Sequence, residues 1–418
     1  MTGAPAVVPG SPASILFVHW GHEGIRGSER VLLDLLSNVD RDLYAPIVWC
    51  NTETLRDAAQ ALGIPARVSR MPVLLGWDPP LFDVRGYRSL LREGSALIRD
   101  SQARLVHVSS GAPNQWMIPA ARNMKVPLIA HLHAVYGHRE RSTLLLHQAP
   151  VVVGCSEAAV APFRSDGLSH LRLRVIHNGV DPVRLGAGTA STLRSSLGIS
   201  ADSVLVVGVG ALVRLKGFDL LIRALATLRS RDSDGHLAIV GDGPELQPLR
   251  TLAQELGVAN RVHFLGKRGD VGAILRDACD IVAIPSRIEA FGLVAAEAAV
   301  FGRPAVASAV GGIGEVVQDG TTGLLVPGGD HLALAAALER LIADPELRRK
   351  LGEAARARVL AEFTSARVAR SFEGLYAGLM TRPRASFGWS SLGFRATPFV
   401  RLAIAVAGRR LGLRIGDA

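Results

Sequence analysis

Short aliphatic runs alternate with helix-like segments along most of this chain, and that alternation constrains the fold more than any single motif. Strand followed by helix, repeated, is the pattern of a parallel sheet wrapped by its crossover helices. A first series of strand-like runs falls at residues 15–20, 45–50, 104–108, 127–131, 151–154 and 173–177, with helical segments between them such as 28–38 and 157–165. A second series falls at 204–209, 237–240, 262–265, 281–285 and 305–308. Between the two series, residues 181–200 are rich in Gly, Ser, Thr and Ala and poor in large apolar side chains, which reads as a linker. The expectation is an α/β chain of two Rossmann-like, doubly wound domains facing across a cleft. They are an N-terminal domain at 1–185 and a C-terminal domain at 186–364, followed by a terminal helix at 365–380. Residues 381–418 form a basic tail in which Arg382, Arg384, Arg395, Arg401, Arg409, Arg410 and Arg414 interleave with aromatic and aliphatic residues. A basic amphipathic segment of that kind suits an anionic membrane surface, a fold back onto the protein, or no fixed structure.

Composition agrees with more than one domain: 418 residues exceed what one ordinary core organises, and 44 glycines suit many tight loops. A net charge of +10 points to an anionic partner. Cys50, Cys155 and Cys279 are scattered and odd in number, so neither a disulfide framework nor a metal cluster is expected, and a cytoplasmic protein is. No apolar run reaches the roughly 20 residues that span a bilayer. Basic residues without a stacking platform of aromatics argue against nucleic acid as a partner.

The segment with most chemistry follows the strand-like run at 281–285. Glu289 falls in the loop and Glu297 about one turn into the next helix, with Phe291-Gly292-Leu293-Val294 between them. The backbone N–H groups of a helix start lack intrahelical acceptors and favour an anion such as a diphosphate. A carboxylate beside such a cradle suits sugar hydroxyls or the positive charge that develops on a sugar ring. Equally, Glu289 could only complement the helix dipole, and Glu297 could be an ordinary helix-surface residue. Lys216, after the 204–209 strand, is placed to neutralise a phosphate. Gly208-Val209-Gly210 lacks the third glycine of a dinucleotide fingerprint, Val213 standing in its place, which argues against a nicotinamide enzyme. Residues 241–245 read as a structural turn at a strand-to-helix junction. Gly24 and Gly27 follow the first strand, where open α/β sheets bind ligands. His131 and His133 end the 127–131 strand; without a third ligand at fixed spacing they do not specify a metal, and a neutral imidazole bonding a substrate hydroxyl fits better.

Taken together, residues 24–29, 178–181 (Asn-Gly-Val-Asp), 241–245, the Glu289–Glu297 pair and 311–320 (Gly-Gly-Ile-Gly-Glu-Val-Val-Gln-Asp-Gly) resemble the GT-B retaining glycosyltransferases of family 4. The likeness runs from about residue 15 to about 375. It implies transfer of a sugar from a nucleotide-diphosphate sugar, with retained configuration, onto an unidentified glycan or lipid-linked acceptor. It implies no metal and no cofactor beyond that co-substrate, and a place in the cytoplasm or on the inner face of the membrane. By resemblance, Glu289 contacts donor-sugar hydroxyls, the amides of Phe291, Gly292, Leu293 and Val294 hold the diphosphate, and Glu297 holds the ribose. Lys216 matches the family's phosphate-binding lysine, His133 its cleft histidine, and Gly24 and Gly27 approach the diphosphate. The family often has an arginine where this chain has Ala211, which implies either Arg214 as a substitute or a diphosphate held less tightly, and a glycine where it has Ala290. A GT-B nucleotide-sugar epimerase and a non-catalytic nucleotide-sugar-binding protein are the alternatives.

Overall fold

A computed structural model of the chain describes residues 11–74, 83–229 and 235–381. The chain divides into two compact units, one made of residues up to Ile176 and from Ala369 onward, the other of His177–Val368.

The first unit is built on a seven-stranded sheet of β1 (Ala13–Val18), β2 (Tyr44–Cys50), β3 (Ala66–Val68), β4 (Leu105–Val108), β5 (Leu128–Leu132), β6 (Val151–Gly154) and β7 (Leu173–Val175). Their order is β3-β2-β1-β4-β5-β6-β7, every pairing parallel. Both faces are covered, which is why β4, β5 and β6 are buried at every position and read as apolar runs, interrupted only by His107 and His131, rather than alternating ones. On one face Trp49, Met117 and Trp116 anchor the core. The other face meets Phe372 and Tyr376 of the helix Ser365–Met380, both fully buried.

The second unit repeats the plan in a six-stranded sheet of β8 (Val204–Val209), β9 (Gly235–Val240), β10 (Val262–Gly266), β11 (Ile281–Ile284), β12 (Ala305–Ser308) and β13 (Gly323–Val326). The order is β10-β9-β8-β11-β12-β13, again all parallel. In each sheet the chain winds outward from a central strand, then returns to build on that strand's other side. That reversal lies between β1 and β4, and between β8 and β11. Loops leaving the carboxyl ends of those neighbours diverge and leave room for a ligand.

Two strands, β3 and β13, lie outside the runs expected from sequence. Both are short edge strands, and β13 opens on a glycine in a polar stretch, so neither shows the apolar run that marks a central strand. Residues 181–200, expected as a linker, lie inside the second unit and carry the short helices Pro182–Gly186 and Leu193–Ser196. Arg194 ties the segment down: its guanidinium donates to the carbonyls of Ala278, Ser200 and Ser203, each at 3.0 Å, and pairs with Asp280. A small-residue composition hides one arginine with four acceptors. The helix Ser365–Met380 begins in the second unit and continues into the first. The basic tail from Arg382 onward lies outside the described residues. Among the described residues, no helix is long and apolar enough to cross a membrane.

Candidate functional site

In the second unit the reversal of strand order juxtaposes the loops after β8 and β11, and with them Lys216 and Glu289. Lys216 Nζ lies 2.8 Å from Glu289 Oε2, and the Ser286 hydroxyl donates to the same carboxylate oxygen at 3.1 Å. Residues far apart in sequence meet because their strands are hydrogen-bonded neighbours.

The two loops are laced together through their backbones. Arg287 N–H donates to the Leu215 carbonyl at 2.8 Å, just before Lys216. The Arg287 guanidinium takes both oxygens of Asp219 at 2.7 Å and the Arg214 carbonyl at 2.8 Å. Burial raises the Asp219 carboxyl, but the paired bonds and charge of Arg287 outweigh it and hold Asp219 below the usual carboxylate range. Those same bonds push Arg287 up. Gly217, with φ of +68°, passes so close to the Pro285 carbonyl that any side chain would overlap it. On the far side, Gly312 N–H donates to the Glu289 carbonyl at 2.9 Å, so the 311–320 motif serves as a brace for the Glu289 backbone.

After Glu289 the chain enters the helix Leu293–Ala299 through Gly292, whose φ is +99°. Ala295 N–H closes the first intrahelical bond, to the Gly292 carbonyl at 3.0 Å. The N–H groups of Phe291, Gly292, Leu293 and Val294 therefore precede the helical ladder. Phe291 is buried against the rings of His177 and Phe363, which fixes the loop. Glu297 lies on the helix and is half-buried, whereas the Arg214 side chain is exposed.

The remaining candidates belong to the first unit. Gly24 sits in the loop after β1 with φ of +91°, and Gly27 is the first residue of the helix Gly27–Asn38. His133 follows β5; its Nε2 lies 3.1 Å from the Ser109 hydroxyl, in the loop after β4. Its neighbour His131 turns into the core and differs in role. His131 Nδ1 is 3.1 Å from His107 Nε2, and His107 Nδ1 is 2.7 Å from the Tyr376 hydroxyl. Burial, with the neighbouring His133, pushes His107 down to about 3 and His131 well below its ordinary value, so both are neutral. Among the described residues, no group of three or more His, Cys, Asp and Glu stands together in a way that could hold a metal.

Lys216, Glu289, the 291–294 amides and Glu297 are thus one neighbourhood in one unit, and Gly24, Gly27 and His133 surround the corresponding strand ends of the other. Sequence reasoning missed Ser286, Arg287, Asp219 and Ser109. Arg287 sits beside Glu289 in the same segment, and an acid such as Asp219 in the first turn after Lys216 is the pairing signal that could have found it.

Two family models match the chain: one described as glycosyl transferases group 1 over residues 190–358, the other as glycosyltransferase family 4 over residues 25–184. A D-inositol 3-phosphate glycosyltransferase from Corynebacterium aurimucosum is 41% identical over 217 residues, covering 50% of this chain and 51% of that one. An N-acetyl-alpha-D-glucosaminyl L-malate synthase from Bacillus anthracis is 30% identical over 231 residues, covering 55% and 60%. The chain thus spans about half the length of these curated relatives. Among solved structures, Anabaena Alr3699/HepE in complex with UDP-glucose superposes with a TM-score of 0.75 at 25% identity, over 87% of this chain and 99% of that one. A glycosyltransferase from Rickettsia africae shares the fold at a TM-score of 0.77 and 18% identity, over 89% of this chain and 100% of that one.

Proposed function

The chain belongs to the group 1, family 4 glycosyltransferases of GT-B fold, and from that membership we propose that it moves a sugar from a nucleoside diphosphate sugar to an acceptor with retention of configuration. The observation that carries this reading is the Lys216–Glu289 contact beside an open helix start. A cation, a carboxylate and the N–H groups that precede a helical ladder, carried on two adjoining loops, match the two halves of such a donor. The diphosphate takes the cation and the amides, and the sugar hydroxyls take the carboxylate.

Lys216 and Glu289 pair with each other at 2.8 Å. When a diphosphate arrives, the ammonium turns to a phosphate oxygen, which releases Glu289 to accept from the sugar. As the glycosidic bond lengthens, negative charge grows on the leaving phosphate against Lys216 and the 291–294 amides, while Glu289 faces positive charge on the ring. Glu297 accepts from the ribose hydroxyls. Uridine diphosphate sugars are the first donors to test, because Anabaena Alr3699/HepE holds UDP-glucose. His133, Gly24 and Gly27 are assigned to the donor by family resemblance, and the acceptor to the first unit.

Nucleotide release from a panel of donors, followed by the anomeric configuration of the product, tests the reading. Lys216→Ala should lower turnover by roughly 10²–10³, the usual effect of removing one preorganised charge stabiliser. Glu289→Gln should lose use of the donor while still binding the free nucleotide. Unchanged turnover in Lys216→Ala would reject the assignment, as would a Glu289→Gln variant that uses the donor at the wild-type rate.

A further inference from the structure

The loop between β1 and the helix Gly27–Asn38 is fixed at both ends and exposed in its middle. At its start, Trp20 N–H donates to the Ser110 hydroxyl at 2.9 Å, and Gly21 exchanges two bonds with the Asn51 amide at 2.9 and 2.8 Å. At its end, Glu29 Oε2 accepts the Arg26 N–H and the Ser28 hydroxyl, both at 3.1 Å. The other oxygen, Glu29 Oε1, lies 3.1 Å from His19 Nε2. His19 Nδ1 in turn lies 2.7 Å from the Ser109 carbonyl oxygen. Both side chains are buried, His19 at 0% exposure and Glu29 at 3%.

These partners leave little choice of protonation. A backbone carbonyl only accepts, and an ionised carboxylate only accepts, so each ring nitrogen of His19 must carry a hydrogen. A neutral imidazole has one. Moving the hydrogen to Glu29 would also satisfy the count, but its other oxygen already accepts the Arg26 N–H and the Ser28 hydroxyl, bonds that favour the ionised carboxylate. The groups facing His19 are Glu29 from the helix, the Ser109 carbonyl after β4 and the neutral His131 of β5. None of them competes as a second anion.

We propose that His19 and Glu29 form a buried imidazolium–carboxylate pair that clamps the 21–28 glycine loop in one conformation, making both of them positioning residues for the anion the loop receives. The identity of that anion as a nucleoside diphosphate rests on the function proposed above; the clamp does not. The geometry explains why the loop begins with glycine at residue 21: a side chain there would overlap the Glu29 carboxylate. It also gives the pair a second reach. Ser109 takes His19 on its carbonyl and His133 at its hydroxyl, so one residue links the clamp to the candidate histidine.

The test uses the full chain with nitrogen-15-labelled histidine, His19 being assigned by the signal lost in His19→Gln. At neutral pH both ring nitrogens of His19 should show the shifts of protonated nitrogen, and in Glu29→Gln, which keeps the size and an acceptor for Arg26, one should become pyridine-like. Amide hydrogen exchange across residues 21–28 should quicken in Glu29→Gln, and kcat/KM for the nucleotide sugar should fall tenfold to roughly a hundredfold, the scale of a misplaced binding element. A neutral His19 in the wild-type chain, or loop amides in Glu29→Gln exchanging at wild-type rates, would overturn the proposal. If those two readouts hold and the wild-type chain releases nucleotide from no donor, the clamp stands and the enzymatic reading fails.

Discussion

Glu289 owes its position to backbone as much as to its own carboxylate. Its carbonyl accepts from Gly312, and Gly311, at φ of +57°, lies so near that carbonyl that a methyl group would overlap it. Gly311→Ala therefore meets both a left-handed backbone and a steric conflict with main chain, not with a flexible side chain. Such a residue costs of order 1–3 kcal/mol, and relief comes only by shifting the loop that carries Glu289. The expected outcome is a lower Tm together with at least a tenfold lower kcat, read by thermal unfolding and by nucleotide release. A variant with wild-type kcat would mean that the brace is irrelevant to Glu289. Ser286 holds the Glu289 carboxylate from within the same loop, and Arg287 reaches across to Asp219 and the Arg214 carbonyl beside Lys216.

At the scale of elements, the face of the first sheet that carries His107 and His131 meets the helix Ser365–Met380 through aromatic rings and one hydroxyl. Two neutral imidazoles at 0% and 1% exposure make that junction pH-sensitive in a definite direction. Their folded values lie below the ordinary 6.5, so the unfolded chain binds more protons in the interval, and stability rises with pH there. The carboxyls Glu29 and Asp219, whose ordinary values are 4.5 and 3.8, add the same sign only in more acidic solution, where folded stability is lost as they protonate. Between pH 4.5 and 6.5 the slope belongs chiefly to the histidines, at most about 1.4 kcal/mol per pH unit for each. Urea unfolding across that range should show a shallower dependence in His107→Gln than in the natural chain. Parallel slopes would contradict the assignment.

For the molecule as a whole, the charge of +10 is concentrated toward the tail beyond Thr381, where basic and apolar residues alternate. Each basic residue near an anionic bilayer is worth about 1 kcal/mol, an attraction that salt screens. The full chain should co-sediment with anionic vesicles at low salt and detach at high salt, and a chain ending at Arg382 should stay in solution; equal binding by both would dismiss the tail as the anchor. The sequence by itself was enough for the alternation of strands and helices and the two-domain plan, and it singled out Lys216, Glu289 and Glu297 as candidates, because a buried parallel strand and a glycine-bearing loop each leave a local trace. Strands at 151–154, 204–209 and 305–308 lie where the apolar runs put them. What remained invisible depends on strand order. Lys216 meets Glu289, and His19 meets Ser109, only because the chain reverses its winding between neighbouring strands. A residue's partner across such a reversal is fixed by hydrogen bonding between distant segments, and no local pattern of side chains encodes it.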